Sequence, residues 1–344
     1  MAEYKGIQGY SVQTLSSDPP AGSGSEGQLW YNTTSNVWKI CLGGAGTWAS
    51  GGALNEARQK LGGAGSQTSA LCLGGFNGPP SAPVYVTANV ETYNGTSWTE
   101  TAELLQYGQG RIGVGIVSTA AMCVGGNTYP QDAITNSETY NGTSWTEGNN
   151  LVSARWLGAG MGITTAAITA GGATGAGPEY GSVNVCETYN GTSWSETNNL
   201  NTARYFLGGA GTSTDAIVFA GNAEPGPGHS AAAETWNGTS WTVTNNLNAA
   251  RYGGAATWMG TSDSALYFGG FGVPDSKTDS VELWNGTSWT EVNDLSTPTV
   301  YMGGAGTASA GLSFGGQGPP GPTMVTTTEE WTNPVFSIET VTVS

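Results

Sequence analysis

Glu91-Thr92-Tyr93-Asn94-Gly95-Thr96-Ser97-Trp98 is a phrase that returns from Glu138, Glu187, Glu234 and Glu282, with a decayed copy from Glu329. The glutamates stand 47 to 49 residues apart. A repeat of this length is a supersecondary unit that cannot bury its apolar face alone and must pack on copies of itself.

Within residues 195–241 the pattern predicts four short strands. Leu207-Gly-Gly-Ala-Gly-Thr212 is the first, and Asp215-Ala-Ile-Val-Phe-Ala-Gly221 the second. A Pro/Gly-rich loop leads to Ala233-Glu-Thr-Trp236, the third, and Ser240-Trp241 opens the fourth. Between the last two lies Asn-Gly, which predicts a two-residue type I′ turn, because that turn needs positive φ at both central positions and Asn-Gly tolerates this best. The pair recurs at Asn94, Asn141, Asn190, Asn237 and Asn285. All five also read as glycosylation sequons, but the turn is sufficient to explain them.

First strands rich in Gly and Ala, with Tyr and Trp in the third and fourth, suit sheets packed radially. Such sheets crowd near the axis and have room for rings outside, so the reading is an all-β, six-bladed β-propeller with four antiparallel strands per blade. Six first strands and six glutamate-bearing third strands can be counted, but only five Asn-Gly phrases carry the fourth-strand Trp. The missing copy is Gly46-Thr47-Trp48, so the last blade is expected to be closed by an N-terminal strand, leaving no open edge. The predicted organisation is an arm with a short hairpin at 1–45, the propeller at 46–334, and a strand-like tail at 335–344.

Only 10% of the 344 residues are charged, and 9 basic against 25 acidic residues give a net −16. That field repels polyanions, which excludes nucleic acid as a partner. No apolar run approaches the length of a membrane-spanning helix, and Met1-Ala-Glu-Tyr-Lys has no apolar signal core, so no membrane insertion is expected. Cys72 and Cys123 hold equivalent places in adjacent repeats, and with Cys41 and Cys186 they read as buried small hydrophobes rather than a disulfide or metal framework.

An apolar strand ending in Gly-Gly, then Glu-x-Tyr, then a Trp-bearing strand, resembles kelch repeats across residues 46–333. More narrowly, Leu200-Asn-Thr-Ala-Arg-Tyr with the Glu-Thr-Tyr-Asn-Gly-Thr-Ser-Trp phrase resembles kelch-like structural proteins of tailed bacteriophages. The leader Glu26-Gly-Gln-Leu-Trp-Tyr-Asn-Thr-Thr-Ser-Asn-Val-Trp-Lys39 resembles a segment of tail-fibre and other virion proteins. The resemblance implies a non-enzymatic structural protein exposed on a virion, as a tail fibre, appendage or decoration, assembled in the host cytoplasm. Implied partners are other virion proteins through the arm, with Trp30, Tyr31 and Trp38 as anchor candidates. A host-surface glycan or protein and a second copy of the chain are the other partners expected.

No cofactor, metal or catalytic set is expected. His229 is the only histidine and has no orienting carboxylate near it in sequence, which leaves neither a catalytic triad nor a two-histidine copper site. The recurring Arg58, Arg155, Arg204 and Arg251, with Arg111 nearby in the second repeat and Thr299 in the sixth, read as ties to the repeat glutamates or to carbonyls. The loops from second to third strands diverge while the strands repeat. They form one irregular rim, whose binding candidates are Phe76, Tyr85, Tyr129, Asp132, Tyr180, His229, Phe271, Asp275 and Lys277. Two other readings stand beside adhesion: a virion glycan hydrolase using loop carboxylates, and a kelch adaptor for protein partners.

Overall fold

The structure, a computed structural model, describes residues 13–19, 28–43, 46–78, 86–128, 133–175, 181–223, 228–333 and 336–341. Every regular element among them is a β-strand, in a propeller-like arrangement. Six sheets have four antiparallel strands each. Sheet I is Gly62–Ser66, Ser69–Phe76, Val86–Tyr93 and Trp98–Thr101. Sheet II runs from Ile112–Val117 to Trp145–Glu147, sheet III from Ala159–Ile163 to Trp194–Thr197, and sheet IV from Gly208–Gly211 to Trp241–Thr244. Sheet V runs from Ala255–Ala256 to Trp289–Val292. Sheet VI holds Gly303–Thr307, Ala310–Phe314 and Thr328–Thr332, with Thr47–Ser50 as its fourth strand.

The first strand of each sheet touches that of the next, and Gly303–Thr307 touches Gly62–Ser66. This contact is why these strands are made of Gly and Ala. A Cβ on Gly63 would collide with the carbonyl oxygen of Gly304, and one on Gly113 with that of Gly63. The apolar core lies between neighbouring sheets, as where Met161 and Ile168 of sheet III pack with Val218 and Trp236 of sheet IV.

The Asn-Gly turns differ from the type I′ expectation. Tyr93 pairs with Trp98 across a four-residue loop. Gly95 has φ +88°, but Asn94 is not in the left-handed region. Its Oδ1 instead accepts hydrogen bonds from the amides of Thr96 and Ser97, both at 2.9 Å, and the four equivalent asparagines do the same. The side chain thus shapes the turn, and only glycine needs positive φ.

In four of the six repeats the recurrent arginine bonds the glutamate of its own repeat. Arg58 Nη2 lies 2.6 Å from Glu91 Oε1, and Arg155–Glu187, Arg204–Glu234 and Arg251–Glu282 repeat the pair, all buried. Arg111 stands where the other repeats have residues such as Leu61 and Leu207, yet its Nη2 reaches Glu138 Oε1 at 2.9 Å.

Two compact units emerge, Trp48–Thr332 and a smaller one of Met1–Thr47 with Asn333–Ser344. In the smaller unit the strand-like tail does form a strand: Phe336–Thr340 pairs with Val37–Gly43, which pairs with Leu29–Asn32, with Gln13–Leu15 parallel at the edge. The alternating tail completes a sheet that the hairpin alone would leave two-stranded and marginal.

Candidate functional site

The residues just before the six first strands form a ring. Lys60, Gly110, Leu157, Phe206, Gly253 and Tyr301 all have φ between +51° and +68°. Each of their amides donates to the preceding member's carbonyl: Gly110 to Lys60 at 2.6 Å, Leu157 to Gly110 at 2.9 Å, Phe206 to Leu157 at 2.8 Å, Gly253 to Phe206 at 3.2 Å and Tyr301 to Gly253 at 2.6 Å. Lys60 donates to Tyr301 at 2.8 Å and returns the series to its start. Four of the six are not glycine, a conformation that costs a non-glycine residue roughly 1 kcal/mol and persists only where its surroundings dictate it. Below the ring a small cavity of about 60 Å³ is lined by Leu61, Arg111, Ile112, Leu207 and Met302. It has room for a few waters, not a sugar.

The half-buried Lys60 side chain lies in this mouth. Its Nζ is 5.4 Å from the ring centroid of Tyr301, 5.7 Å from Trp156 and 6.0 Å from Phe206. Burial pushes its amine down to about 8, because the charged form loses water and the aromatic faces replace it only in part.

From Phe206 an aromatic cluster spreads across sheets IV to VI. Phe206 lies 4.7 Å from Tyr301, 5.5 Å from Tyr205 and 6.1 Å from Tyr252. Tyr252 stacks on Phe271 at 5.3 Å, and Phe271 meets Tyr301 edge-on at 5.5 Å. Short ladders hold these residues: Arg251–Tyr252 pairs with Phe271–Gly272, and Asn222–Ala223 with Gly228–His229. Burial, then Asp275, hold the Tyr252 hydroxyl above the usual tyrosine range.

His229, Phe271 and Asp275 come together here. His229 packs on Tyr252 at 5.0 Å, and its Nε2 lies 3.1 Å from Asp275 Oδ1, within ion-pair reach though not aligned as a hydrogen bond. The expectation that this histidine has no carboxylate nearby is thus corrected: Asp275 comes from the next repeat's loop, a proximity invisible along the chain. Lys277 is engaged elsewhere, its Nζ donating to the carbonyls of Gly318 at 2.9 Å and Gly321 at 2.6 Å. Phe76 is half-buried and forms a β-bridge with Gln59 of its own repeat. Tyr85, Tyr129, Asp132 and Tyr180 lie outside the described residues.

Of the anchor candidates, Trp30 is buried within its own sheet, its Nε1 donating to Asp18 at 3.1 Å. Asp18 also pairs with Lys39 at 2.8 Å, which holds its carboxyl below the usual range. Tyr31 is half-buried against Trp38, at 5.4 Å, and Trp38 is 39% exposed.

Lys60, Trp156, Phe206, Tyr252 and Tyr301 escaped the sequence reading. Their signal was present. They occupy the two positions directly after the recurrent arginine, or after Thr299 in the sixth repeat, which vary from repeat to repeat inside an otherwise constant frame.

Comparison with solved structures gives 319 matching chains. One of them, titled "Structure of YjhT", aligns with a TM-score of 0.65 at 15% identity, covering 83% of this chain and 99% of that one. No protein-family model matches the chain, and no curated protein matches it. The likeness is one of fold alone, the propeller-like all-β architecture, and a fold so widely shared hosts unrelated functions.

Proposed function

We propose that the six sheets are the blades of one closed, kelch-like propeller sealed by Thr47–Ser50, and that the chain is a non-enzymatic adhesive component of a virion. The ring-side face binds a glycan or protein of the host surface, while the smaller unit, with Trp38 on its surface, joins the chain to other virion proteins. The observation that carries this reading is the aromatic cluster of Phe206, Tyr252, Phe271 and Tyr301 beside the divergent loops. Aromatic faces flanked by hydrogen-bonding groups suit sugars and protein surfaces. The virion assignment rests on the resemblance of the leader and the repeat phrase to phage structural proteins.

Two measurements test it. Antibody raised against the chain should decorate intact particles in negative stain; absence of the chain from purified particles defeats the virion assignment. The purified protein should bind host cells, and Phe271→Ala with Tyr252→Ala should reduce that binding at least tenfold while the melting transition stays cooperative. Undiminished binding by a folded double variant removes the aromatic face as the site. Release of sugar by the wild type would favour a glycan hydrolase instead.

A further inference from the structure

Every lysine and arginine among the described residues except Lys60 has an oxygen partner. The five arginines bond glutamates, Lys39 pairs with Asp18, and Lys277 donates to carbonyls. Among the described residues, the groups found against the Lys60 ammonium are aromatic faces, in the mouth of a ring whose backbone groups already bond one another. A partly desolvated cation without an anion is expensive to keep. An anion from outside would complete the site, as a charge-assisted hydrogen bond in a low-dielectric setting.

We propose that Lys60 binds the carboxylate of an acidic sugar, a hexuronic acid residue of a surface glycan, whose ring lies on the neighbouring aromatic side chains. This rests on the binding-face reading above and names its ligand class. The cavity's 60 Å³ admits a carboxylate but not a pyranose, so the sugar ring stays at the mouth, over Phe206 and Tyr301. The net charge of −16 disfavours long polyanions, so a single, spaced acidic residue fits better than a densely charged polymer. So shallow a site predicts weak monovalent binding, in the range from about 0.1 to 10 mM, with avidity from several copies on one particle.

Titration of the full chain with glucuronate, glucose and acetate, followed by NMR, tests the proposal. Glucuronate should bind at least tenfold more tightly than glucose and than acetate, and Lys60→Met should remove the advantage over glucose while Lys60→Arg keeps most of it. Equal binding of glucose and glucuronate, or an unchanged preference in folded Lys60→Met, overturns the carboxylate assignment. Acetate binding as tightly as glucuronate overturns the sugar assignment. Phe271→Ala separates the two readings. If it weakens host-cell binding while the preference for glucuronate is absent, the face stands and the acidic ligand falls. If cells bind regardless of either variant, the face itself falls.

Discussion

The amide of Lys60 donates to the carbonyl of Tyr301 at 2.8 Å, joining the leader of the first sheet to the leader of the sixth across almost the whole repeat region. The same lysine places its ammonium 5.4 Å from the Tyr301 ring. One residue thus links the ends of the repeat series through its backbone, and through its side chain offers a charge that has no oxygen partner among the described residues.

That burial gives a pH dependence. The Lys60 amine sits at about 8 against an ordinary 10.5, so the unfolded chain holds more protons between those values and stability rises with pH across them. Lys60→Met should therefore stabilise the protein at pH 7, by roughly 1–3 kcal/mol, and its gain should shrink as pH rises through 8. Urea unfolding at pH 7 and pH 9.5 checks both the sign and the window.

The arginine–glutamate pairs differ in what breaking them costs. Arg155→Ala leaves Glu187 buried without its partner and should destabilise by roughly 3–5 kcal/mol. The sixth repeat has Thr299 in place of arginine, and Glu329 accepts from the Ser296 amide at 3.0 Å in a more open site. Glu329→Gln should cost less than about 1 kcal/mol. Chemical denaturation of the two variants side by side decides; equal costs would refute the buried-pair account.

Arg111 should be movable. Arg111→Leu alone strands Glu138 and should cost roughly 3–5 kcal/mol. Gly108 occupies the position that holds arginine in four other repeats, and its nearest neighbours across space include the Arg111 side chain that the variant removes. Adding Gly108→Arg should restore at least half of the lost stability. A double variant no more stable than Arg111→Leu shows that the local backbone, not the guanidinium, sets this site.

Trp48 packs 5.2 Å from Phe268 and 5.4 Å from Trp331, and its Nε1 donates to Asn293 at 3.1 Å. Trp48→Ala should cost about 2–4 kcal/mol. Removing residues 1–50 also leaves Thr328–Thr332 as an unpaired edge, so that truncation should aggregate. Light scattering after refolding reads this out.

All four cysteines are buried, and burial pushes the Cys72 thiol up to about 12 and those of Cys123 and Cys186 to about 11. Thiolates are the reactive form. Alkylation at pH 8 should label none of these three in the folded protein and all of them in denaturant, as mass spectrometry would show.

Much of the scaffold was legible in sequence because its physics is local and recurs. Strand patterning and the Gly/Ala run at crowded positions repeat every 47 to 49 residues, so each copy corroborates the others. The turn shows the limit. Asn-Gly located the reversal correctly, but its type depended on the Asn94 side chain accepting two amides, a choice between turn geometries that the dipeptide leaves open. The site was less legible. Of the loop residues expected to bind, His229, Phe271 and Asp275 gather in one cluster, while Lys277 is spent on two carbonyls.

By itself the sequence determined the repeating unit, its strand order and the residues needed where strands crowd, because propensity, period and side-chain size act within one copy. Only the tertiary structure decided which residues share the mouth, that Arg111 substitutes for an arginine three positions earlier, and that the tail completes the small unit's sheet. Those outcomes depend on distances between segments far apart in the chain. Such distances follow from packing of all the sheets together, and no single repeat encodes them.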